Sequence, residues 1–167
     1  MESPHSDPRM AVFVRLNLKT GEVAPMTAED WQAGVRGPQL TDRVPRDVRM
    51  LFDEAREPML HGPCSYALFT RGLEHALKAA EAAVTSRAQT AGVLLVRPDG
   101  RPTGFAFRLA KLKKLQILSR AELEAWTWIR KFRNLTAHPD QPFLLTPAVA
   151  ISILGTIAAS IEQLFSS

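Results

Sequence analysis

A chain of 167 residues and 18.5 kDa, 46% hydrophobic and 23% charged, carries enough apolar material for one folded domain with a real core, which excludes a disordered protein. Its net charge of +4 and pI near 9.6 permit an anionic partner such as RNA without requiring one. A single cysteine, Cys64, excludes an intrachain disulfide and a zinc site built from several cysteines, and it fits a reducing cytoplasm.

The opening "MESPHSDPRM" lacks the basic start and apolar core of a signal peptide and reads as a loose tail over 1–10. Residues 11–18 alternate Val12, Val14, Leu16 and Leu18 with polar Arg15 and Asn17, the period of a strand. "KTGE" is its turn, and a second short strand is expected to run to Val23. Thr27 and Asp30 stand at cap spacing before a short helix, and "RGPQLTDRVPR" then reads as a linker. These pieces form a small β/α extension over 11–43, followed by a helical domain over 44–167.

In that domain, Val48, Leu51, Phe52 and Ala55 predict a helix from about Arg46 to Glu57, stopped near Pro58. After the turn "HGPCS", a helix from about Cys64 to Ser86 carries Tyr66, Phe69, Leu73, Ala76, Leu77, Ala80 and Val84 on one stripe, with Glu74 and Lys78 paired on its polar side. Two apolar runs around Pro-Asp-Gly predict an inserted hairpin over 91–107. "RLAKLKKLQ" is a short helix. Ser119 and Glu122 form a capping box, and Leu118 and Leu123 a hydrophobic staple, for a helix that must end near His138, ahead of Pro139. Thr146 caps and Pro147 opens a final helix, whose stripe runs from Ala150 through Ile153, Leu154, Ile157 and Ile161 to Leu164. The apolar run 148–161 is shorter than a membrane span and is expected to be a core helix. The fold expected is mainly α, an antiparallel bundle of four to five helices with the N-terminal hairpin and helix attached.

The stretch "IRKFRNLTAHPD" sets Arg133 seven positions after Trp126, about 20° away on a helical wheel, so a guanidinium stands in an apolar stripe. It either reaches water along a surface or meets a partner fit for a buried cation. "RNLTAH" resembles the Arg-x4-His motif of the HEPN superfamily, which lies near the end of a helix in an antiparallel bundle. Residues 44–87, with Glu54-Ala55 in the first helix and Arg71 to Glu74 in the second, are similar to the first two helices of a HEPN-like family of unknown function; with 109–165 the likeness spans most of the helical domain. Residues 1–43 and 91–107 have no counterpart in it.

The resemblance implies a metal-independent endoribonuclease, as in toxin-antitoxin and defence systems. His138 would move protons as a ribose 2′-OH attacks the adjacent phosphate. Arg133 would stabilise the phosphorane, and Asn134 would hold the phosphate or orient His138. It also implies a homodimer with both motifs facing one RNA groove. Trp128, Phe132 and Leu135, on a different side of the helix from Trp126 and Ile129, call for a second buried surface.

Blander readings stand beside these. His138 before a proline suits a helix C-cap, and Arg133 suits a structural ion pair with Glu74, itself equally a solvated neighbour of Arg71. Lys111, Lys113, Lys114, Arg130 and Lys131 form either a basic strip for RNA backbone or a solvated face. Trp126 and Trp128 either stack bases or pack in a core and at an interface. His61 and His75 have no companions at metal-ligand spacing, so no metal or other cofactor is expected. The alternative function is a non-catalytic HEPN-like module that dimerises or binds an antitoxin or another protein, again in the cytoplasm and without a membrane.

Overall fold

The computed structural model describes residues 6–136 and 145–166. Among them six α-helices surround one core, and a two-stranded antiparallel sheet stands outside it. The elements are β1 (Val14–Leu16), β2 (Val23–Pro25), α1 (Ala28–Arg36), α2 (Arg46–Leu60), α3 (Ala67–Thr90), α4 (Phe105–Lys114), α5 (Arg120–Thr136) and α6 (Pro147–Leu164).

The central element is α3, which packs against α2, α4, α5 and α6. Its expected stripe is the buried one, with Phe69, Leu73, Ala76, Leu77, Ala80 and Val84 all in the core. Its approach to α2 is set by Gly72, where a Cβ would overlap the Cγ of Met59 and the carbonyl oxygen of Ala55. That contact explains why α2 does not stop at Pro58. The missing N–H falls in the last turn, Met59 is fully buried, and the helix ends two residues later with the His61 amide donating to the Pro58 carbonyl. The apolar α6 buries Ala150, Leu154, Ile157 and Ile161 in the same core. It is the one helix among the described residues long and apolar enough to cross a membrane, and half of it is covered by the rest of the chain.

The N-terminal region departs most from expectation. Residues 6–10 are not a loose tail. Pro8–Val12 form a 3-10 turn capped by Asp7, whose carboxylate accepts from the Tyr66 amide at 2.9 Å and pairs with Arg9 at 2.7 Å. The Asp7 amide donates to the Pro63 carbonyl, the Arg9 guanidinium lies 4.8 Å from the Tyr66 ring centre, and Met10 is buried. Hydrogen bonds from Arg9 first and the Tyr66 amide second hold the Asp7 carboxyl well below the usual carboxylate range.

The 3-10 turn also shortens the first strand to three residues, paired Val14↔Pro25, Arg15↔Ala24 and Leu16↔Val23. Val12, Val14, Leu16 and Leu18, the apolar residues of the alternating pattern, are all exposed. The helix after them is no appendage. Its capping box forms as expected, and Trp31 and Val35 enter the common core, with Trp31 edge-on to Phe13 and Phe69.

The inserted hairpin shrinks to a single bridge, Val96↔Pro102, because Phe105 to Phe107 are helical. Gly-Phe-Ala-Phe has the spacing of a strand and equally of a helix start. Phe105 decides it by packing edge-on against Trp126 with Leu109 and Leu112 below it on the same face.

Candidate functional site

The carrier of the motif, α5, begins where its sequence says. The Ser119 amide donates to the Glu122 carboxylate at 2.6 Å and the Glu122 amide to the Ser119 hydroxyl at 3.2 Å, while Leu118 is buried and Leu123 packs against the core. From there Trp126, Ile129 and Phe132 turn inward. Phe132, expected on the uncovered side, is therefore a core residue, although its ring still stacks on Trp128 at 5.4 Å and 12°. Trp128 and Leu135 remain exposed, Trp128 at 44%.

Arg133 shares the helical register of Trp126 but is exposed where Trp126 is buried. Its side chain is 47% exposed, and Nη2 donates to Oε2 of Glu81 on α3 at 2.9 Å. The first of the two possibilities open to such an arginine is realised, with the head in water, and the carboxylate it meets is itself partly exposed. The carboxylate is Glu81 and not Glu74, which lies seven residues earlier on the same face, about 10 Å along the helix. Glu74 and Arg71 are exposed, and among the described residues neither pairs with the other, nor Glu74 with Lys78. Asn134 is exposed beside Arg133. His138 lies outside the described residues, so the structure gives no geometry for the Arg-x4-His pair.

The residues of the expected basic strip line different hollows. Lys111 and Lys114 line a hollow between α4 and residues 91–94, whereas Lys131 lines another with Leu123, Glu124, Thr127 and Trp128. Lys113 and Arg130 are half-buried and line neither.

A polar constellation that sequence reading missed lies one turn from Glu81. Arg108 is 9% exposed, and no carboxylate pairs with it among the described residues. Its Nη1 donates to the Thr85 hydroxyl at 2.6 Å and its Nε to the Thr103 hydroxyl at 3.4 Å. Thr85 donates in turn to the Glu81 carbonyl, and Thr103 to the carbonyls of Leu94 and Leu95. The signal was present: Arg108 stands three residues after Phe105 and four before Leu112, on the core face of α4. Arg133, Glu81, Thr85, Arg108 and Thr103 thereby link α5, α3, α4 and the 91–104 segment.

No group of three or more His, Cys, Asp or Glu placed to hold a metal ion occurs among the described residues. What the site offers is a guanidinium at a helix end, reachable from solvent and oriented by a carboxylate, beside an exposed amide side chain. Such a group can donate paired hydrogen bonds to a phosphate or carboxylate. Fold and site together define a mainly helical domain with a small external hairpin and an oriented, half-exposed arginine at the end of its fifth helix. No family model matches the chain, and neither a curated protein nor a solved structure matches it.

Proposed function

We propose that the protein is a HEPN-type, metal-independent endoribonuclease, acting in the cytoplasm as a homodimer in a toxin or defence role. The observation that carries this reading is the half-exposed guanidinium of Arg133, aimed by Glu81 and set just ahead of the segment that holds His138. In the reaction a ribose 2′-oxygen bonds to the adjacent phosphorus as the bond to the 5′-oxygen breaks. His138 relays the proton lost by the 2′-hydroxyl toward the leaving oxygen, and a cyclic phosphate remains. Arg133 stabilises the added charge on the phosphorane, with Asn134 positioning the phosphate or His138.

A second reading is favoured by Trp128 and Leu135, whose exposure on the helix that carries the motif suits a two-fold contact. A non-catalytic module that dimerises or holds a protein partner would use the same face. The test separates them: purified protein is incubated with mixed RNAs in excess chelator, beside Arg133→Ala and His138→Ala variants verified to fold. Cleavage by the parent alone is expected. No cleavage by the parent, or equal cleavage by all three, overturns the enzyme reading and leaves the module. Light scattering adds a second readout, in which a monomer at tens of micromolar removes the shared groove.

A further inference from the structure

The segment from Val93 to Arg97 leaves α3 through Gly92, a glycine in the left-handed region at φ +72°, and passes beside α4 with a bend at Leu95. Its side chains alternate: Val93 and Leu95 pack against the core, while Leu94 and Val96 are 71% and 54% exposed. One backbone edge is used. The Arg97 amide donates to the Arg101 carbonyl and the Thr103 amide to the Leu95 carbonyl, each at 2.8 Å. The N–H groups of Leu94 and Val96 have no partner among the described residues, while the Leu94 carbonyl is already taken by the Thr103 hydroxyl, so the outer side offers these two donors to a docked chain.

Two adjoining hollows of about 430 and 400 Å³ lie against this segment and share Leu94 and Phe107. Leu115 and Val96 extend the apolar floor at either end. Cations dominate the rim: Lys111 and Lys114 at one hollow, Arg97 with the lone carboxylate of Asp99 at the other. The Lys111 ammonium sits 5.2 Å from the Phe107 ring centre, so a positive charge is held directly over apolar surface. The floor is rigid from beneath, since buried Arg108 fixes Thr103, and Thr103 fixes the carbonyls of Leu94 and Leu95.

We propose that this groove is a docking site for an extended acidic segment of a partner protein, one that alternates apolar and carboxylate side chains. Apolar side chains fill the two hollows, carboxylates meet Lys111, Lys114 and Arg97, and the Leu94 and Val96 N–H groups donate to the docked backbone. RNA fits the same surface poorly, because bases stack on aromatic planes and most of this floor is aliphatic. The groove stands apart from the ribonuclease reading, and its test uses no RNA cleavage.

A displayed library of random peptides is selected on the whole protein and counter-selected on a Lys111→Glu, Lys114→Glu double variant, whose changes are on exposed side chains. Enrichment of alternating Leu or Val with Asp or Glu is expected. A synthesised hit should bind at least about tenfold more weakly, about 1.4 kcal/mol, to the double variant and to Leu94→Ser, each with unchanged helical circular dichroism. No enrichment, enrichment without acidic residues, or equal binding to the variants overturns the proposal. So does tighter binding of single-stranded RNA or anionic vesicles that is lost in the same variants.

Discussion

Replacing Arg133 and Glu81, singly and together, measures what their contact contributes. The Arg133 and Glu81 side chains are 47% and 31% exposed, so each keeps much of its hydration and the 2.9 Å bond acts in a high effective dielectric. Exposed pairs of this kind contribute about 0.2–1 kcal/mol, against about 3–5 kcal/mol lost when a truly buried pair is broken. Arg133→Ala also removes the aliphatic stem of a half-exposed side chain. The expected total is a loss of about 1 kcal/mol, or about 2–4 °C in Tm for a domain of this size. Urea melts of the parent, Arg133→Ala, Glu81→Gln and the double variant give the coupling energy, which should fall below about 1 kcal/mol. A loss of about 3 kcal/mol or more in Arg133→Ala, or a coupling above about 2 kcal/mol, would mean that the pair is desolvated and structural. An arginine that holds the bundle together while RNA cleavage survives at low temperature would overturn its assignment to phosphate chemistry.

Gly72→Ala should destabilise the protein even though alanine is the better helix former by about 1 kcal/mol. The new methyl meets Met59 and the Ala55 carbonyl, and such overpacking costs about 1–3 kcal/mol; a raised denaturant midpoint would show that α2 and α3 do not meet so closely. Asp7 predicts an acid response. Its carboxyl is depressed in the folded chain, so the stability it lends is complete above the ordinary carboxylate value of about 4 and is lost as pH falls through its lower folded value. Melts taken across that range should steepen for the parent relative to Asp7→Asn, and parallel profiles would refute the Asp7 clasp.

Local chemistry was the legible part of this fold. Thr27 with Asp30, Ser119 with Glu122, and Thr146 with Pro147 specify their helix starts through neighbours one to three residues away, and all three form. The long stripe of α3 was equally plain. What stayed hidden depended on distant partners. Asp7 looks like a tail residue until Pro63 and Tyr66 are folded against it. Glu74 and Glu81 occupy the same face of one helix, and only the packed height of α5 chooses between them. The exposure of Val14 and Leu16 could not be read from a period-two pattern, which fixes which side chains share a face and not whether anything covers it.

The central placement of α3 bears on how the chain is made. Vectorial synthesis releases α2 and α3 early, and their short connection lets them pair at once. The side of α3 that α6 covers has no such local partner. Ile157 and Ile161 reach it only after everything between Thr90 and Pro147 has left the ribosome. For that interval a nascent α2–α3 hairpin carries an uncovered apolar flank, a natural client surface for a chaperone that holds unfinished chains.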